Sequence, residues 1–158
     1  FGGFRTDPGY WQQRITLHQR LAFAAFEHRE FVAAKRELGE AEKALMRRGE
    51  IWVGNLKPNR GREVGKIRPV LILQTDFLLA EGEPTVIVLP LTTQVRISKE
   101  PLHVTIPARD RLRETCQVMT EQPRTLDRQR LLDGPLTRLT GDEMSAVEKS
   151  FRMVAGLL

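Results

Sequence analysis

Hydrophobic and polar residues are arranged in two different ways along this chain of 158 residues, and the pattern changes near Leu45. Residues 11–45 contain no proline and one glycine, and Asp7-Pro8 offers a helix start with proline near the first helical position. An apolar stripe at helical spacing is formed by Ala34, Leu38, Ala41 and Leu45. The pattern predicts a helical segment over residues 1–45 whose apolar side needs a covering surface.

From Met46 onward, short β-branched runs separated by glycine, proline and charged turns predict a β domain over residues 46–158. Six strands are expected, at residues 50–53, 69–74, 85–91, 102–106, 116–120 and 135–139. Residues 55–67 carry one proline, two glycines and four basic residues, which predicts a loop. Six short strands suggest a barrel.

The C-terminal residues predict a closing amphipathic helix. Thr140 and Glu143 have the spacing of a capping box. Apolar residues then recur at helical intervals, namely Met144, Val147, Phe151, Val154 and Leu158. We therefore expect an α+β fold in which this helix packs on an antiparallel barrel.

Composition narrows the functional classes. Hydrophobic residues make up 41% and charged residues 28%, which is typical of a folded globular protein. The net charge of +5 permits a polyanionic partner without requiring one. The single cysteine, Cys116, excludes an intramolecular disulfide and a multi-cysteine metal site, and no apolar run is long enough to span a bilayer. The expected location is the cytoplasm.

Metal and cofactor chemistry have no clear motif in this sequence. His18, His28 and His103 are scattered, and the chain contains no HExxH, CxxC, GxGxxG or Walker pattern. Cys116 lies on an apolar predicted strand, which favours a buried structural thiol over a nucleophile. We expect neither a metal ion nor a cofactor.

The first candidate cluster surrounds Arg68, which follows the basic loop and precedes Pro69. The proline biases the backbone of Arg68 toward extended geometry. A guanidinium is permanently charged and forks onto two oxygens, so it suits a phosphate. The alternative is a surface arginine paired with Glu63.

Two further polar clusters follow predicted strands. Thr92, Thr93 and Gln94 end the third strand, where they either hold a phosphate oxygen or reflect ordinary β propensity. The segment 121–127 offers side chains that either contact base edges or phosphates or form a salt-bridged turn, namely Gln122, Arg124 and Asp127.

Three motifs, in this order, resemble the MazF/PemK family of toxin endoribonucleases from bacterial type II toxin–antitoxin systems. They are RRGEIWVGNLKPNRGREVGKIRPVLILQTD, LPLTTQ and EQPRTLDRQRL, and with the final helix the resemblance covers residues 46–158. It implies an SH3-like barrel, a homodimer, metal-independent cleavage of single-stranded RNA, and neutralisation by a cognate MazE-like antitoxin.

The resemblance also implies residue roles. Arg68 and Thr92 match the catalytic pair, with the ribose 2′-OH as nucleophile and a 2′,3′-cyclic phosphate and a 5′-OH as product ends. Glu63 either accepts the 2′-OH proton or orients Arg68. The residues expected to contact RNA are Lys57, Arg60, Arg62, Lys66, Thr93, Gln94, Gln122, Arg124 and Asp127. Trp52 is assigned to the core rather than to base stacking.

The resemblance does not extend to residues 1–45. This segment is either derived from an antitoxin or is a helical extension, and its seven basic and six acidic residues give a net charge of +1, where an RNA-mimicking inhibitor should be acidic. Two rival functions keep the same fold: a toxin that binds DNA gyrase, and a catalytically inactive RNA-binding regulator.

Overall fold

The fold is seen in a computed structural model that describes residues 45–157. The predicted helical segment, apart from Leu45, and the last residue of the predicted C-terminal stripe lie outside this range. None of the helices within residues 45–157 is long and apolar enough to cross a membrane.

Residues 45–157 form seven strands, two α-helices and two short 3-10 turns. The elements in chain order are β1 (Glu50–Asn55), β2 (Ile67–Ile72), α1 (Asp76–Ala80), β3 (Thr85–Thr92), a 3-10 turn (Ile97–Lys99), β4 (His103–Ile106), β5 (Cys116–Met119), β6 (Arg124–Asp127), a second 3-10 turn (Arg128–Arg130), β7 (Leu131–Arg138) and α2 (Gly141–Ala155).

All strand pairs are antiparallel, and the order across the sheet is β4-β5-β3-β2-β1-β7. Strand β3 pairs with β2 on one edge. Its other edge is shared, because residues 85–88 pair with β6 and residues 91–92 pair with β5. The expected SH3-like antiparallel barrel with a C-terminal helix is confirmed, in the form of a curled sheet.

Three elements differ from the sequence prediction. Helix α1 and strand β6 were not expected, and β7 begins at Leu131 rather than near residue 135. The turn-like residues Gly134 and Pro135 lie inside β7, where the β1–β7 register is irregular. Gly134 is required because a Cβ there would lie 2.3 Å from the Trp52 ring. The close approach of a buried aromatic ring therefore explains a glycine that resembles a turn signal.

Both faces of the sheet are buried, which accounts for the continuous apolar run of β3. Successive side chains of a strand point to opposite faces. Residues 51, 71, 89 and 91 contribute to one core cluster, which packs under α2 and includes Met144 and Val147. Residues 52, 70, 72, 86 and 88 contribute to a second cluster, which includes Leu56 and Leu126. Trp52 belongs to this second cluster, as expected.

Helix α2 begins at the capping box that the sequence predicts. The Thr140 hydroxyl accepts the Glu143 N–H at 3.2 Å, and the Glu143 carboxylate accepts the Thr140 N–H at 2.8 Å. Gly156, at φ 69°, ends the helix in the left-handed conformation that glycine adopts most easily. Burial acts to raise the pKa of Glu143, but hydrogen bonds from Arg109 and Thr140 outweigh it and hold that pKa below its usual value.

Candidate functional site

A row of polar side chains crosses four neighbouring strands on one face of the sheet. Thr92 of β3 is paired with Gln117 of β5, and Gln117 is paired with Thr105 of β4. Directly paired residues of antiparallel strands point to the same face. Val70 of β2 pairs with Pro90 of β3. Continuing this antiparallel register by two residues places Arg68 opposite Thr92. We call Arg68, Thr92, Gln117 and Thr105 the polar row.

Arg68 is held in place by backbone carbonyls. Its Nε donates to the Gly65 carbonyl at 2.9 Å, and its Nη1 donates to the Leu91 carbonyl at 3.3 Å. The Leu91 carbonyl belongs to the peptide bond that joins Leu91 to Thr92, so the second hydrogen bond places the guanidinium beside Thr92. Because a guanidinium carries five N–H donors, three remain for a ligand. Partial burial lowers the pKa of Arg68.

The alternative of an Arg68–Glu63 ion pair is not what the structure contains. Within residues 45–157, no carboxylate lies within ion-pair distance of Arg68. The Glu63 carboxylate instead accepts the Arg60 N–H at 2.9 Å, which closes a turn in the loop. The orientation of Arg68 therefore comes from Gly65 and Leu91.

Thr92 stands at the end of β3, where the chain leaves the sheet. Its Oγ1 accepts the Gln94 N–H at 3.1 Å, so the hydroxyl is oriented by its own turn. The hydroxyl proton remains available as a donor, since a threonine hydroxyl both donates and accepts. Thr93 and Gln94 are exposed beside it.

Two predicted site residues from the third cluster converge on the loop at residues 56–66. The Gln122 Oε1 accepts the Val64 N–H at 3.3 Å. The Arg124 Nη1 donates to the carbonyls of Leu56 and Val64, each at 3.1 Å. Together with the Arg68–Gly65 bond, these contacts attach the end of the loop to strands β2 and β6 and to the turn between β5 and β6. The cluster is thus not a salt-bridged turn, and its side chains hold the loop.

The loop presents its cations to solvent. Lys57, Arg60, Arg62 and Lys66 are all exposed. Lys66 adopts φ 73°, a left-handed conformation that costs a non-glycine residue about 1 kcal/mol, and its carbonyl accepts the Leu56 N–H at 2.9 Å. A Cβ on Gly65 would lie 2.1 Å from the Asn59 side chain, which would have to move to admit it.

Asp127 is not brought to this site. It pairs with Thr85 at the opposite end of β3, seven residues from Thr92 or about 23 Å along an extended strand. Its carboxylate accepts the Gln129 N–H at 2.8 Å and begins the second 3-10 turn. Cys116 is buried, and burial raises the pKa of its thiol, as expected of a structural cysteine.

Sequence reasoning missed Gln117. Its side chain is fully buried, although it lies in the apolar strand β5. The available signal was the alternation itself, because a glutamine between Cys116 and Val118 points to the face opposite theirs.

Comparison with known proteins gives consistent results. The sequence model of the family described as PemK-like, MazF-like toxin of type II toxin–antitoxin system matches residues 47–155. Endoribonuclease EndoA of Bacillus subtilis (strain 168) is 35% identical over 115 residues, which cover 72% of this chain and 97% of that protein.

Solved structures share the fold. MazF of Deinococcus radiodurans superimposes with a TM-score of 0.61 at 22% identity, covering 71% of this chain and 97% of that one. A mycobacterial endoribonuclease in complex with its cognate antitoxin gives a TM-score of 0.57 at 22% identity, covering 72% of this chain and 97% of that one.

The contacts of Arg124 generate a prediction about the loop. Arg124→Met removes two hydrogen bonds to loop carbonyls, so it should lower the free energy of unfolding by about 1–3 kcal/mol. Limited digestion with trypsin should become faster after Arg60, Arg62 and Lys66. Arg113→Met is the matched control, because Arg113 is exposed and its side chain makes no hydrogen bond or ion pair within residues 45–157. Equal digestion of the loop in the two variants would contradict the assignment.

Proposed function

This chain belongs to the PemK-like, MazF-like toxins of type II toxin–antitoxin systems and is an endoribonuclease toxin, and we propose that it cuts single-stranded RNA without a metal ion. The observation that carries this proposal is the position of the Arg68 guanidinium, fixed by two carbonyls beside Thr92. The substrate supplies its own nucleophile, the ribose 2′-OH.

The reaction is an in-line displacement at phosphorus. The 2′-oxygen forms a bond to the adjacent phosphorus while the bond from phosphorus to the 5′-oxygen breaks, which leaves a 2′,3′-cyclic phosphate and a 5′-OH. Negative charge accumulates on the non-bridging oxygens as the phosphorane forms. The three uncommitted N–H groups of Arg68 stabilise that charge. Arg68 donates a proton to the leaving 5′-oxygen while the 2′-OH proton passes to a base, so that no net proton is gained or lost.

Thr92 and Glu63 have different supporting roles. The Thr92 hydroxyl donates to a non-bridging oxygen and orients the phosphate, because the Gln94 N–H already occupies an acceptor site of the hydroxyl oxygen. Glu63 does not orient Arg68, since its carboxylate bonds to the Arg60 N–H. Acceptance of the 2′-OH proton by Glu63 stays a prediction.

The RNA strand follows the basic loop. Phosphates attract the exposed cations at residues 57, 60, 62 and 66, and this attraction does not depend on base sequence. Thr93 and Gln94 are exposed beside Thr92 and offer hydrogen bonds to base edges. Gln122 and Arg124 act mainly by holding the loop. Asp127 is left out of the proposed site because it lies at the other end of β3.

The fold and the charge distribution agree with the proposed partners. The uncompensated cations of the loop suit an acidic segment of a cognate MazE-like antitoxin, which would compete with RNA for the same surface. The expected place of action is the cytoplasm, where the RNA substrate is. The Arg68–Thr92 arrangement favours RNA cleavage over the two rival functions, a gyrase-binding toxin and an inactive RNA-binding module. Neither rival function requires a hydroxyl and a guanidinium placed to contact the same phosphate.

Cleavage should be independent of divalent metal ions and should require the 2′-OH. The full chain should cut labelled RNA at the same rate in EDTA as in magnesium, and gel mobility after phosphatase treatment should show cyclic phosphate and 5′-OH ends. An oligonucleotide with 2′-O-methyl groups throughout should bind and stay intact, because it has no nucleophile. Activity that disappears in EDTA and returns with added metal would overturn the mechanism.

Arg68→Ala should lose more activity than Thr92→Ala. Loss of a donor and a charge that act when the phosphorane forms should lower kcat about 10³-fold for Arg68→Ala, and about 10²-fold or less for Thr92→Ala. Lys149→Ala serves as a control that removes an exposed cation on α2. Circular dichroism would confirm folding, and near-wild-type turnover of the Arg68 variant would refute its role.

A second copy of the chain is expected to complete the RNA groove. The surface carries apolar side chains that a homodimer would cover, including Phe77, which is 69% exposed, and Ile87, which is 41% exposed. Light scattering at micromolar concentration should give about twice the 18.1 kDa of one chain. A monomeric mass together with full RNA cleavage would contradict this expectation.

A further inference from the structure

The fully buried amide of Gln117 grips the chain segment that follows Thr92. Its Oε1 accepts the Arg96 N–H at 2.9 Å, and its Nε2 donates to the Arg96 carbonyl at 3.3 Å. The second N–H of the amide donates to the Thr105 hydroxyl at 3.2 Å. One side chain therefore holds both backbone groups of Arg96.

A glutamine at this position needs a physical reason, because a buried amide without partners destabilises a fold by about 1–3 kcal/mol. An apolar side chain of similar size would be sufficient to fill β5. The hydrogen bonds show the role of the amide: it pairs with the backbone N–H and carbonyl of Arg96, which lies beyond the end of β3, as a neighbouring strand would. Thr105 extends the network, since its hydroxyl donates to the Glu100 carboxylate at 3.2 Å.

The position of Gln117 connects this grip to the catalytic pair. Gln117 is the residue directly opposite Thr92 in the β3–β5 ladder, so their Cβ atoms are about 5 Å apart. Gln117 thus holds both ends of the segment 92–96: its backbone pairs with Thr92 in the ladder, and its amide bonds to the backbone of Arg96. Movement of Arg96 would also move the turn that orients the Thr92 hydroxyl.

The side chain of Arg96 is uncommitted. It is exposed, and within residues 45–157 its guanidinium makes neither a hydrogen bond nor an ion pair. It is also the first cation along the chain after Thr92. A guanidinium whose backbone is fixed at two points loses less conformational freedom on binding than one on a loose loop.

We propose that Arg96 binds a phosphate of the RNA strand next to the one being cleaved, and that Gln117 is the positioning residue for Arg96 and for the Thr92 turn. This inference rests on the proposed ribonuclease function. It extends the RNA path along the polar row, to the side of Thr92 away from Arg68.

Kinetics and binding of the full chain test the two residues together. Arg96→Ala should raise KM for RNA about 3- to 10-fold and leave kcat within about twofold, because a phosphate contact away from the reacting atoms supports binding of substrate and transition state equally. For the 2′-O-methyl oligonucleotide, the slope of log affinity against log salt should become shallower by about 0.7. Lys149→Ala should change neither quantity.

Gln117→Leu should raise KM and reduce the salt slope as Arg96→Ala does, and the double variant should be no worse in KM than the single variants, because both act on the same contact. Gln117→Asn keeps a neutral amide but shortens the side chain by one methylene, so it should fall between wild type and Gln117→Leu. It also replaces Gln117→Leu if the leucine variant does not fold.

Two outcomes would overturn the inference while the ribonuclease function stands. One is an unchanged KM and salt slope in Arg96→Ala when the wild-type chain cuts RNA. The other is strictly additive effects of the Arg96 and Gln117 variants, which would show that the amide has only a structural role. A wild-type chain that binds the oligonucleotide but never cuts RNA would instead refute the proposed function, and the salt slopes would still test Arg96.

Discussion

The divided pairing of β3 is the constraint on which the site depends. One strand pairs with β2 along one edge and divides its other edge between β6 and β5. Because of this division, Thr92 pairs with β5 at the point where β3 ends, while β2 remains paired to the opposite edge of β3. Backbone hydrogen bonds of a ladder admit little adjustment, since a shift of one residue would turn every side chain to the other face. The polar row therefore depends on three strand registers, those of β2 with β3, β3 with β5 and β5 with β4, which place its four side chains on the same face.

Arginines serve two different purposes in this fold, and the fold separates them. Arg48, Arg109 and Arg138 are bonded to carboxylates, and these pairs attach α2 and β7 to the rest of the sheet. Arg68 and Arg124 are bonded to backbone carbonyls around the loop. A carbonyl orients a guanidinium without cancelling its charge, so positive potential remains where a phosphate would bind. Ion pairs thus attach α2 and β7, whereas within residues 45–157 Arg68 and Arg124 keep charges that no carboxylate cancels.

Local signals explain which predictions agree with the structure. Five of the six expected strands, the loop after β1 and the capping box of α2 each depend on residues close together in sequence. Strand β6 is different, because it is short and mostly polar, and its partner residues in β3 lie about 40 positions away. Gly134 and Pro135 resemble a turn signal in the sequence, but in the structure Gly134 is needed because the Trp52 ring packs against it. In both cases a distant contact outweighs the local propensity.

The sequence by itself determined the fold class, the start of the C-terminal helix, the basic loop and the identity of Arg68 and Thr92 as candidates. It did so because period-two alternation, capping residues and a run of cations are local patterns. Only the tertiary structure decided which carbonyls orient Arg68, that Gln122 and Arg124 hold the loop, that Asp127 stands apart, and that Gln117 grips Arg96. Apart from the local bond between Arg68 and Gly65, the hydrogen bonds among those relations join residues about 20 to 70 positions apart. They arise from strand register, which is set by the burial of two apolar faces at once.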